Sequence, residues 1–213
     1  MSTQGANAEP RFEGVVVAAF PLALLESVRS HDRPGEILED EDLTVSLPRR
    51  LGLTVVFETQ IQRYENAQRT GTTVSLNEVM SLFRLVLRRP DAETILRETG
   101  QRVARWAFSR APAAWTAVLR RSPHTLALRS ARRAAVRTLR KLNAGKRVEA
   151  AKPFTITAAD SLTAQIDESG AACTLFTGMF EEQLLLYTGS HRRVTHSHCM
   201  ARSDDVCAWT LAE

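Results

Sequence analysis

No cysteine occurs in the first 172 residues of this 213-residue chain; its three are Cys173, Cys199 and Cys207. An odd count gathered in one late stretch is a poor disulfide framework, so the expectation is a reducing compartment, the cytoplasm, with thiols free or metal-bound. Long apolar runs are also missing. Val15 to Leu25 is the best candidate, and it is eleven residues long with Pro21 inside it, against about 20 needed to span a bilayer. Met1 to Pro10 has no Lys or Arg, which argues against the charged start of a signal peptide. There is no Gly-rich phosphate loop, Gly-x-Ser-x-Gly elbow, His-Glu-x-x-His helix or dinucleotide fingerprint. Binding therefore ranks ahead of catalysis.

Acidic residues are absent between Gly100 and Val148, where thirteen Lys or Arg stand. That leaves fifteen of the 28 cations against all 24 acids elsewhere, a balance of −9. A concentrated cation on an otherwise acidic protein fits an anionic partner, either a membrane surface or nucleic acid. The alternative is a solvated face, or one that pairs with the acidic remainder of the same chain or of a second copy in a homodimer.

Periodicity gives the fold class. Residues 1–12 read as an unstructured start and 13–213 as one domain, helical to about residue 150. Val15 to Val28 is a short strand turning into a helix that ends before Ser30. Arg33-Pro34-Gly35 is a turn, Glu36 to Asp42 an acidic stretch, and Pro48 to Leu53 a lead-in. Leu53, Phe57, Ile61 and Tyr64 share a stripe that stops before Gly71. Ser75 with Glu78 is a capping-box signature opening a helix with Val79, Leu82, Phe83 and Val86 on one face. After Pro90 comes a helix with Ile95, Leu96, Val103 and Trp106, in which Gly100 implies close approach of another element. Pro112 and Pro123 open two more helices. The second carries Leu128, Ala131, Ala135, Leu139 and Leu142 on one side, Arg129, Arg132, Arg133, Arg137, Arg140 and Lys141 around the rest, and stops at Asn143-Ala144-Gly145.

After Lys152-Pro153 the period changes from 3.6 to 2. Strands are predicted at Phe154–Thr157, Leu162–Asp167 and Ala171–Phe176, the last two joined by a hairpin turn at Glu168-Ser169-Gly170. A helix over Gly178–Tyr187 is stopped by Gly189. Strands at Arg193–Cys199 and Val206–Leu211 are joined through Arg202-Ser203-Asp204-Asp205. The fold class is α+β, a helical N-terminal half packed on a C-terminal antiparallel sheet.

Thiolates and neutral imidazole suit Zn²⁺, which takes four such ligands tetrahedrally. The bland alternative is that each cysteine is a small buried hydrophobe. The last hairpin would bring Cys199 and Cys207 together, with Cys173 on a neighbouring strand. His196 is the first choice for fourth ligand, with His198, Asp204 or Asp205 as alternatives. On a regular strand neither histidine shares the face of Cys199, because each is an odd number of residues before it; a chain already turning at Cys199 would lift that objection. Four protein ligands would make the zinc structural.

Cys173, Cys199 twenty-six positions on and Cys207 eight further resemble the zinc site of the 4-vinyl reductase domain family, relatives of TRAPP transport-complex subunits. Cys173 to Phe180 is similar to that family's strand, glycine and apolar helix. Two positions depart from it: His196 stands where the family has an acid, and Ser203-Asp204 where it often has Gly-Asp. The resemblance covers about the last 40 residues. It implies a module that holds a hydrophobic small molecule between helices and sheet. The stand-alone kind is associated with bacteriochlorophyll synthesis, which makes a tetrapyrrole a candidate ligand and leaves a reductase role as a further class. Phe83, Trp106, Phe108 and Trp115 are the candidate lining of such a pocket, or else ordinary core.

Overall fold

The computed structural model describes residues 12–32, 55–142 and 147–212. The unstructured start, the turn at 33–35, the acidic stretch, the lead-in through Leu53 and the stop at 143–145 lie outside those residues, apart from Phe12. Phe12 is buried, with the Arg84 guanidinium 5.4 Å from its ring centroid. The described residues form an α+β architecture of eight helices and six strands.

Strand β1 (Val15–Val17) pairs antiparallel with β2 (Thr73–Ser75). Between them run α1 (Ala19–His31) and α2 (Val55–Thr70). Helix α1 extends past its predicted end because Ser30 and His31 both bond the Glu98 carboxylate, each at 2.9 Å. Helix α3 (Leu76–Leu87) opens at Ser75, but no capping box forms. The Ser75 hydroxyl makes no cap bond, and Glu78 instead accepts from Tyr64 Oη at 2.5 Å and from Arg63 at 2.9 and 3.1 Å. A charge-assisted tertiary contact has outcompeted a local one.

Helix α4 (Ala92–Ser109) is followed by α5 (Ala113–Arg121) and α6 (His124–Lys141), with Pro112 and Pro123 as their N-caps. Helix α6 buries a stripe of small residues, among them Ala127, Ala131, Ala135 and Thr138, together with Leu139. Strand β3 (Arg147–Ala151) comes earlier than the period change suggested, and Lys152-Pro153 lies in the turn to β4 (Thr155–Ala159).

The predicted hairpin over residues 162–176 is corrected. Leu162–Ile166 is a short helix, α7, and Ala171–Cys173 is a 3₁₀ turn that runs into α8 (Thr174–Thr188). Runs of five residues fit either period, and local hydrogen bonds decide. The Asp167 carboxylate accepts Ser169 N at 3.0 Å in the turn and Ala172 N at 2.7 Å, the latter lying in the predicted returning strand. Helix α8 is therefore longer than the predicted Gly178–Tyr187, and it ends as expected at Gly189, with φ +70° and its N–H on Leu185 O.

Strands β5 (Val194–His198) and β6 (Cys207–Leu211) complete an antiparallel sheet of order β3-β4-β6-β5. Helix α8 is buried on nearly every side, between the sheet and α4. Phe176 and Phe180 meet Trp209 of β6 edge-on at 5.5 and 5.6 Å. Its other side crosses α4 at backbone contact. A Cβ on Gly100 would lie 2.0 Å from Leu175 O, and one on Gly178 would lie 2.3 Å from Arg97 O. Gly100 thus serves the close approach its position implied. No helix among the described residues is long and apolar enough to cross a membrane.

Candidate metal centre

Four side chains converge where the inner face of the sheet meets the N-terminus of α8. Alternation on β6 puts Cys207 and Trp209 on one face. His196 is the register partner of Trp209, so it lies on that face too. Cys199 would then point outward, but the pairing shifts between His196 and His198: His198 pairs with Ala208, leaving Ser197 as an extra residue. One extra residue flips every following side chain. The bulge thus turns Cys199 inward, and the phase objection to His196 is removed. Cys173 arrives from the opposite wall, at the end of the 3₁₀ turn rather than on a strand.

The ligand atoms of Cys173, His196, Cys199 and Cys207 all lie within 4.8 Å of one another, and the three thiols are free and buried. Cys173 Sγ and Cys199 Sγ are 4.0 Å apart. A tetrahedron with Zn–S bonds of about 2.3 Å has edges of about 3.8 Å. The group could hold a metal ion.

Two observations test the fit. The Nε2 atom of His196 is buried and makes no well-formed hydrogen bond, although the imidazole helps to hold the Cys207 thiol down; buried ring nitrogens ordinarily have a partner. A metal beside three sulfurs would give that lone pair its partner. The second is electrostatic. The Cys173 thiol, donating toward Cys207, pulls the Cys207 thiol well below its usual range against the cost of burial, and Cys173 is pushed up by the same bond and by burial. The cluster already favours thiolate at Cys207, the form that binds metal.

Three thiolates and an imidazole on a divalent ion leave one net negative charge, and the surroundings supply donors for it. Met200 N donates to Cys207 Sγ at 3.4 Å, and Thr163 Oγ1 lies 3.1 Å from Cys173 Sγ and 3.0 Å from Ser161 Oγ. Asp204 acts differently: its Oδ2 accepts Cys199 N at 2.6 Å, fixing the turn after β5 rather than reaching the cluster. His198 is exposed and its Nδ1 faces Ser197 Oγ at 3.3 Å, and Asp205 is exposed as well. Of the candidate fourth ligands, His196 is the one brought in.

Gly170 was legible only as a turn residue. It has φ +80°, and a Cβ there would meet Cys199 Sγ at 2.9 Å, so it gives the sulfur its space. The signal was present in Ser169-Gly170, but the hairpin reading pointed it at the wrong neighbour.

The four aromatic residues expected to line a pocket stand in different surroundings. Phe83 is fully buried with its ring edge-on to Phe20, so it fills core. Trp115 is exposed on α5. Trp106 lines a cavity of about 140 Å³ with Val17, Ala19, Arg110 and Lys141. Phe108 packs against Tyr187 beside a gap of about 50 Å³. Both volumes fall below the few hundred cubic ångströms of ordinary ligand pockets. Compared with protein-family models, curated proteins and solved structures, the chain matches none.

Proposed function

We propose that this chain is a binding module of the 4-vinyl reductase type, with a structural zinc held by Cys173, His196, Cys199 and Cys207. The observation that carries the reading is the convergence of four soft donors, one with a buried nitrogen that makes no well-formed hydrogen bond. The cysteine spacing supports the family. Four protein ligands leave no open coordination position, so the ion would clip structure rather than perform chemistry. It would tie the α8 N-terminus to the β5–β6 hairpin, elements that also pack around Trp209 and share the bond from Val194 N to Glu181 Oε1.

The ligand is a hydrophobic small molecule, with a tetrapyrrole of bacteriochlorophyll synthesis as candidate. This part is supported by the resemblance alone. Elemental analysis of the purified full chain beside Cys199→Ala tests the metal reading: about one zinc per chain, lost in the variant with thermal stability, is the expected result. No metal in protein prepared without chelator would sink it. Titration with a vinyl tetrapyrrole, read by absorbance, tests the ligand; adding a reductant and following turnover separates a carrier from a reductase.

A further inference from the structure

Among the described residues the cations of α6 have no acidic partners. Arg29, Arg63, Arg89, Arg97, Arg102 and Arg105 each pair with a carboxylate. Among the described residues no ion pair reaches Arg129, Arg132, Arg133, Arg137 or Arg140; Arg129, Arg133 and Arg140 are exposed away from the buried small-residue stripe, Arg132 is half-buried and donates to Pro153 O at 3.4 Å, and Arg137 lies beside Tyr187. A cleft of about 570 Å³ lies there, walled by Leu126, Leu128 and Pro153 and edged by Arg129, Arg132 and Lys152. The larger cleft beside β5, of about 750 Å³, is different: it carries the acids Glu181 and Glu182, already engaged by Arg97 and Arg105.

Helices α5 and α6 also expose apolar side chains, of which Leu126 lines the smaller cleft. Trp115 and Val118 are one helical turn apart on α5, at 42% and 53% exposure, and Leu126 in the first turn of α6 is at 41%. Solvated cations alone would suit any polyanion. An exposed tryptophan and aliphatics on α5 and the start of α6, next in the chain to arginines without a carboxylate partner among the described residues, suit an interface with an apolar layer below an anionic one.

We propose that the α5–α6 corner docks on an anionic lipid bilayer, with Trp115, Val118 and Leu126 entering the headgroup boundary and Arg129, Arg132 and Lys152 receiving lipid phosphates. This goes beyond the metal reading and does not depend on it. The long basic face of α6 supplies attraction at a distance, and the apolar corner fixes the pose.

Sedimentation of the full chain with vesicles tests this, using phosphatidylcholine alone and phosphatidylcholine with about one-third phosphatidylserine. Binding is expected only to the anionic vesicles, falling with salt, and weakened about fivefold for each cation removed in Arg129→Gln and Arg132→Gln. Trp115→Ser with Val118→Ser, which leaves charge untouched, should weaken binding and remove the blue shift of tryptophan emission. Arg129, Trp115 and Val118 are exposed and Arg132 is half-buried, so an unchanged melting temperature in each variant shows that the fold is intact. Failure to bind anionic vesicles overturns the proposal. So does binding that the Trp115 and Val118 changes leave unaltered, tighter binding to duplex DNA, or complete competition by millimolar inorganic phosphate.

Discussion

The imidazole of His196 lies flat on the indole of Trp209, with ring centroids 4.8 Å apart and planes 15° from parallel. The two residues are register partners across β5 and β6, so the sheet sets the plane of the ring before any ion arrives. Preorganisation of this kind fixes which donor meets the three sulfurs. His196→Ala should therefore weaken zinc by more than the ten- to hundredfold typical of losing an outer-shell partner. His196→Asp, which puts an oxygen donor at this position, should keep most of the affinity. Competition with a chromophoric chelator measures both. Equal zinc affinity in wild type and His196→Ala would remove the histidine from the ligand set.

Gly170 and Gly189 offer a controlled pair. Both have positive φ, +80° and +70°, so alanine strains the backbone at either site. Only Gly170 faces the cluster; a Cβ on Gly189 would meet nothing within 4 Å. Each Gly→Ala change should cost about 1 kcal/mol from strain. Gly170→Ala should in addition weaken zinc, because Cys199 Sγ must move. Chemical denaturation and zinc competition on both variants decide it. Identical behaviour of the two would mean the contact with Cys199 has no bearing on the site.

The fold class and the meeting of three cysteines with His196 were legible from local signals, although the path by which they meet was not. The acid-free arginine run, the alternation of the last two strands and the closely spaced Cys199 and Cys207 survive any tertiary context. What escaped was decided by single hydrogen bonds or single residues. Asp167 holds Ala172 in a 3₁₀ turn where a six-residue strand was expected, and Glu78 abandons its cap for Tyr64. The extra residue at Ser197 reverses the face of Cys199, and nothing in the neighbouring residue types announces a bulge. The aromatic pocket failed for another reason. Phe83 and Trp115 have the same apolar character in sequence, yet one is core and the other surface.

At the crossing of α4 and α8 each helix contributes one glycine to the other's backbone. Gly100→Ala places a methyl 2.0 Å from Leu175 O, and Gly178→Ala places one 2.3 Å from Arg97 O. The obstacles are backbone atoms, so rotamer changes give no relief and the helices must separate. Each change should cost at least the ~1–3 kcal/mol of ordinary overpacking. The double variant should cost less than the sum, because one separation of the helices relieves both clashes. Urea midpoints of the two singles and the double measure this. Singles as stable as wild type would show that the helices are not held at this distance.

Acid stability should depend on Glu98. Burial pushes its carboxyl up, but Arg102, Ser30 and His31 together outweigh that and hold it below the usual range. Arg102 Nη2 is 2.8 Å from it and also bonds Glu26, so the charge ties α4 to α1. A carboxyl depressed in the folded state adds stability above its unfolded value of about 4.3 and loses it as pH falls through the folded value. Glu98→Gln should thus be less stable than wild type at pH 6, with the gap closing below about pH 4. Comparing the two proteins at each pH cancels any loss of zinc they share. Melting temperatures between about pH 6 and 3 report the gap, and a gap constant across that range would show that the ionised carboxylate contributes nothing.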